Sequence, residues 1–177
     1  MRTTFTLMLV FMLLPALTVC RDRGLPALEV GNLEGMTADD ADIPRVLDRL
    51  QRLMLLVDQE RLVDLPAMVS PDRGVYVDLK SHRKSEDLAR EISDPAGYLN
   101  LYYLDTAGLR ENTGDETQLS VRDVLRTTRT IKVDFFRESE DEIELKLHLV
   151  DNMDESYRLN NPVFIREGER WLVYRLF

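Results

Sequence analysis

From Glu142 to Leu149 the chain reads Glu-Ile-Glu-Leu-Lys-Leu-His-Leu, with an apolar residue at every second position. That period suits only an extended strand with one face on a core and the other towards water. Thr130-Ile131-Lys132-Val133-Asp134-Phe135 alternates in the same way, and the acidic Glu138-Ser139-Glu140-Asp141 between the two runs reads as a hairpin tip. Pro162–Glu167 and Arg170–Leu176, separated by Gly168-Glu169, predict a second hairpin. A sheet of this kind leaves one apolar face that something else must cover.

The cover is predicted upstream. Ile43, Val46, Leu47, Leu50, Leu53, Met54 and Val57 recur at three- and four-residue steps, which predicts an amphipathic helix over 43–61. Asp42 is its expected N-cap, Pro44 suits the first turn, and Arg45, Asp48, Arg49 and Arg52 face away. Between helix and hairpins, Ser70–Gly74 predicts a turn, Val75–Leu79 a strand, Ser85–Ile92 a short helix and Tyr98–Thr106 another strand. Residues 107–118 are polar and read as a loop. Ser120-Val121-Arg122-Asp123 reads as a capping box with Asp in place of Glu, opening a short helix through Arg126. The fold class expected is α+β, with one long N-terminal helix and short helices on a mainly antiparallel sheet.

The first 42 residues have a different character. Leu7–Leu17 is an apolar run of 11 broken only by Pro15, preceded by Arg2. It is too short to span a bilayer, which takes about 20 residues, and it fits the apolar part of an export signal. Leu17-Thr18-Val19-Cys20 resembles a bacterial lipobox. That resemblance implies cleavage before Cys20, a diacylglyceryl group on its thiol and acylation of the new amino group. Val19 stands where most lipoboxes carry Gly, Ala or Ser, as in the looser lipoboxes of spirochaetes. Two or more acyl chains turn marginal membrane binding into stable anchoring. The expected organisation is a signal over 1–19, a lipidated Cys20 and flexible tether over 20–42, and an α+β domain over 43–177. Removing 1–19 takes away Arg2 and no acidic residue, moving the formal charge from −9 to −10.

Charge and composition exclude several roles. With 32 acidic residues against 23 basic ones, no concentrated basic surface exists for a nucleic-acid backbone. One cysteine excludes an internal disulfide. His82 and His148 are 66 positions apart, and the acidic runs 138–142 and 151–155 lack the Asp-x-Asp-x-Asp-Gly order of a calcium loop, so neither metal nor other cofactor is expected. No Gly-rich phosphate cradle or serine nucleophile elbow is present. Phe177 after Trp171, Val173 and Arg175 has the look of a final outer-membrane barrel strand. The helix and about six candidate strands do not suit an eight-stranded barrel.

The order of elements, closing on Asn161-Pro-Val-Phe-Ile-Arg-Glu-Gly-Glu-Arg-Trp-Leu-Val-Tyr-Arg-Leu-Phe177, resembles the NTF2-like (cystatin-like cone) fold. Ser70–Ser81, Asp94–Thr106 and the Ser120–Leu125 and C-terminal segments are similar to lipoproteins of spirochaetes. The resemblance covers about 43–177 and implies a sheet curved round the helix, sometimes with a catalytic cavity. In such a cavity an Asp could abstract a C–H proton while a Tyr stabilises the oxyanion. Tyr76, Asp78, Tyr98, Tyr102 and Tyr103 are the candidate pocket residues. Asp134 and His148 alternate with core positions and should face away, solvated; His82-Arg83-Lys84 reads as an exposed turn. Two roles stay open: a non-enzymatic, lipid-anchored binding or envelope-interaction protein, and a small-molecule enzyme with a ketosteroid-isomerase-like or dehydratase-like cavity. The partners expected are the bilayer through acylated Cys20, a small ligand or an envelope protein, and a second copy through the sheet.

Overall fold

The computed structural model describes residues 24–177; Cys20 and the expected signal lie outside them. The two alternating runs form β4 (Thr130–Ser139) and β5 (Glu142–Leu149), antiparallel, with Ile131 opposite Leu149, Val133 opposite Leu147 and Phe135 opposite Leu145. All six of those side chains are buried, as period two requires. The C-terminal hairpin is β6 (Val163–Glu167) and β7 (Arg170–Arg175), turning at Gly168 with φ +60°, a conformation glycine adopts without steric cost.

The helix follows its apolar stripe. α1 (Asp42–Asp58) buries Ile43, Val46, Leu50, Leu53, Met54 and Val57 against the sheet, while Leu47 is only partly covered. Asp42 is not its cap. Asp40 accepts from the Asp42 N–H at 2.9 Å, which frees the Asp42 carboxylate to turn inwards. The remaining elements are the short strands β2 (Val75–Tyr76) and β3 (His82–Arg83) and helices α2 (Ser85–Ile92), α3 (Tyr98–Tyr103), α4 (Thr106–Thr113) and α5 (Val121–Thr127). Leu62–Met68 and Met153–Arg158 are 3₁₀ segments. Among the described residues the fold is thus mixed α and β, with seven helical segments and one curved, open seven-stranded sheet. None of these helices is long and apolar enough to cross a membrane.

Further expectations need correction. Tyr98–Thr106 is not a strand: Leu99 and Tyr103 are buried four residues apart, and Tyr98 and Tyr102 stack four apart, which is the helical period. Residues 107–118 are not all loop. The Asp105 carboxylate accepts from the Gly108 N–H at 3.0 Å and Gly114 closes the helix at φ +67°, so α4 carries both a start and a stop signal.

Within the segment expected to be a tether, Ala27–Glu34 forms an edge strand, β1. It pairs parallel with β4, Ala27 opposite Thr130 and Val30 opposite Val133, then slips at Gly31-Asn32 so that Leu33 faces Phe135. Leu25, Leu28 and Leu33 pack against the core. The sheet order becomes β1-β4-β5-β6-β7-β2-β3.

Candidate functional site

The interior between α1 and the sheet is filled. Phe135, Phe164, Trp171, Leu50, Leu53, Met54 and Leu145 are each at most 2% exposed and form one contiguous core. The inward carboxylate on this face is Asp42, and it is fully engaged. Its Oδ1 accepts from Trp171 Nε1 at 3.0 Å, and its Oδ2 accepts from Arg137 Nη2 at 3.0 Å with Arg166 at 3.7 Å. Burial pushes this carboxyl up, but the Trp171 hydrogen bond and the Arg137 charge outweigh it and hold the group below the ordinary aspartate value. Asp42 is a structural lock.

Three of the four candidate tyrosines meet elsewhere, at one edge of the domain. Tyr98, Tyr102 and Tyr103 line a cleft of about 200 Å³ with Leu109, Leu119, Val121, Tyr157, Arg158, Asn160 and Phe177. Helix α3 positions the first three. Gly97 starts it, and Asn100 Nδ2 donates to Ile92 O at 2.9 Å and to Asp94 O at 2.7 Å, tying α3 to the end of α2. One face then presents Tyr98 and Tyr102, whose rings stack with centroids 4.3 Å apart. Tyr103, on the next face, is buried and its hydroxyl donates to Phe177 O at 3.1 Å, where Asn160 Nδ2 also donates at 3.0 Å.

Arg158 forms the polar wall. Its side chain is 8% exposed; Nη1 donates to Gln118 Oε1 at 2.8 Å, Nη2 to Thr117 O at 3.0 Å, and Nε to Glu155. Three of its five N–H donors are so used. The Arg158 guanidinium also lies over the Tyr157 ring, 4.9 Å from its centroid.

Asp78 is an electrostatic neighbour of this cleft rather than a wall of it. Burial first, then the negative charge of Asp78, pushes the Tyr98 phenol up to about 12; burial also raises Tyr103 well above the ordinary tyrosine value. Tyr98 is therefore a neutral hydrogen-bond donor at neutral pH. Asp78 itself begins a tight turn, its Oδ1 accepting from the Lys80 and Ser81 N–H groups at 2.6 and 2.7 Å. Burial raises its pKa, but those two N–H groups and Arg83 outweigh the effect and hold it below the usual aspartate value. A carboxylate held so low is a weak base. Tyr76 stands apart. Its ring packs edge-on against His82 at 4.9 Å and Tyr174 at 5.5 Å, beside a second hollow of about 260 Å³ that includes Leu79, Val163, Glu144 and Arg175.

Asp134 and His148 do face away from the core, but Asp134 is not solvated. Strand β1 covers it to 6% exposure, with Asn32 N donating at 2.7 Å, Asn32 Nδ2 at 3.1 Å and His148 Nε2 at 3.0 Å. The alternation Leu28, Val30, Leu33, broken once at Gly31-Asn32, was the signal for this strand. Nor are all three residues of the basic cluster a free turn: His82 and Arg83 form β3, His82 Nε2 bonds Arg73 O at 2.7 Å, and Arg83 pairs with Glu91. Among the described residues, no three His, Cys, Asp or Glu side chains gather to hold a metal ion.

Neither the protein-family models nor the curated proteins give a match to this chain.

Proposed function

We propose that this chain is an exported lipoprotein, tied to the membrane by acylated Cys20, whose NTF2-like domain binds a small ring-bearing molecule in the tyrosine cleft without transforming it. The anchor is supported by Leu17-Thr18-Val19-Cys20 after an apolar run of export length. The NTF2-like assignment is supported by a helix lying on one face of a curved, largely antiparallel sheet.

The observation that carries the binding role is the stacked Tyr98–Tyr102 pair on a cleft of about 200 Å³ walled by Arg158. A space of about 150 Å³ holds benzene, so one six-membered ring, aromatic or saccharide, fits here. Aromatic faces supply the contact area, and the neutral Tyr98 hydroxyl and the free N–H groups of Arg158 supply polar contacts. Binding is favoured over catalysis because Asp78 is held low and locked in a turn, and because aromatic and aliphatic side chains fill the interior where a cone-shaped active site would lie.

The test is a titration of the full chain with a panel of monosaccharides and aromatic carboxylates, followed by tyrosine ring resonances. Shifts confined to Tyr98, Tyr102 and Tyr157, with at least about tenfold weaker binding for Tyr102→Ala, support the reading. Turnover of a compound, or binding that survives Tyr102→Ala unchanged, would overturn it.

A further inference from the structure

We propose that the domain lies with one particular end on the lipid bilayer, docking through Val150, Met153 and Tyr157; this rests on the lipid-anchor reading above. Seven large apolar side chains are well exposed among the described residues, and these three fall within eight positions of one another. Met153 and Tyr157 are 77% and 73% exposed. Scattered exposed apolar residues are ordinary, whereas a local group marks a surface that something covers.

The entry of the chain says what covers it. Leu25 is already packed against the core, so five positions separate it from Cys20. Fully extended, that span reaches at most about 18 Å. Ala27 N donates to Arg129 O at 2.9 Å and Ala27 lies opposite Thr130; Val150 N in turn donates to Thr130 O at 3.0 Å. The entry point and Val150 are therefore two strand spacings apart, about 10 Å. An acyl group on Cys20 holds the bilayer within reach of this end, whereas the Glu138–Asp141 tip lies at the far end of the β4–β5 hairpin.

Local charge fits a neutral lipid surface. The Asp151 carboxylate is turned onto the Arg129 and Thr130 N–H groups, and Glu155 is paired with Arg158, which leaves Asp154 exposed. At a formal net charge of −10 the mature chain gains nothing from anionic lipid, so the attraction is apolar, with Tyr157 suited to the headgroup level. Tyr157 also lines the tyrosine cleft, so docking puts the mouth of that cleft beside the membrane.

The experiment is amide hydrogen exchange on the full chain in phosphatidylcholine vesicles, read at 150–158 and at 138–141. Protection at 150–158 should rise about tenfold over the Cys20→Ala chain, stay flat at 138–141, and be lost in Met153→Asp. Detergent-phase partitioning of the same samples reports the anchor separately. A chain that enters the detergent phase without protection at 150–158 keeps its anchor and overturns the docking. A chain that stays aqueous loses the anchor reading, and docking then stands or falls on whether added vesicles protect 150–158. Protection that depends on protein concentration without vesicles would assign the patch to a second copy and overturn the proposal.

Discussion

The indole N–H of Trp171 donates to the Asp42 carboxylate at 3.0 Å, across 129 positions of sequence. It joins the final strand to the first turn of α1, and Arg137 from β4 closes the same carboxylate from the other side. One buried acid thus pins helix and sheet together at one end.

Removing either partner should show this. Trp171→Phe keeps most of the packing and loses one charge-assisted hydrogen bond, for an expected loss of about 2 kcal/mol. Asp42→Ala leaves Arg137 and the indole N–H without that partner and should cost more, about 3 kcal/mol. Urea unfolding of the two variants measures both, and equal, small losses would contradict the lock.

The pH dependence follows from the same group and from Asp134. At Asp134 burial raises the pKa, but the Asn32 and His148 hydrogen bonds outweigh it, so both carboxyls sit below their ordinary values when folded. Their stabilisation is fully present above the unfolded value of about 3.9 and is lost as pH falls through the folded values. Stability should therefore be flat above about pH 5 and fall below about pH 4. In Asp42→Asn the acid limb should flatten, as read by urea midpoints against pH.

Strand β1 depends on the small size of Gly31. A Cβ there would meet Asp134 Oδ1 at 2.0 Å and Lys132 Cε at 2.8 Å. The lysine end can move; the carboxylate, held by Asn32 and His148, cannot do so without giving up bonds. Gly31→Ala should cost about 2 kcal/mol and raise hydrogen exchange across Ala27–Glu34 more than in β5. Unchanged exchange in β1 would show that the bulge tolerates a side chain.

What the sequence made legible follows from periodicity. Ile143, Leu145, Leu147 and Leu149 announced their strand, and Val46, Leu50 and Val57 their helix, because an uninterrupted period has one physical explanation. Strand β1 escaped because Gly31-Asn32 shifts its phase halfway and because Gly24, Pro26 and Gly35 around it read as tether. Tyr98–Tyr103 escaped because aromatic residues favour strands locally, while burial of Leu99 and Tyr103 and the Asn100 bonds to α2 decide for helix. Three of the five candidate pocket residues, Tyr98, Tyr102 and Tyr103, line one cleft, with Asp78 outside its wall. Tyr76 does not line it, because β2 ends after two residues and turns its ring towards Tyr174. Arg158 was not legible at all: its burial depends on Gln118 and Thr117, forty positions away.

Both the cleft's setting and the docked end depend on the anchor. The direct measurement is intact mass and amino-terminal peptide analysis of the full chain purified from the membranes of a bacterial host. The expected mature chain begins at Cys20 and carries a diacylglyceryl group on the thiol and an acyl group on the amino nitrogen. A mature chain that begins elsewhere, or one with an unmodified Cys20, would contradict the anchor reading.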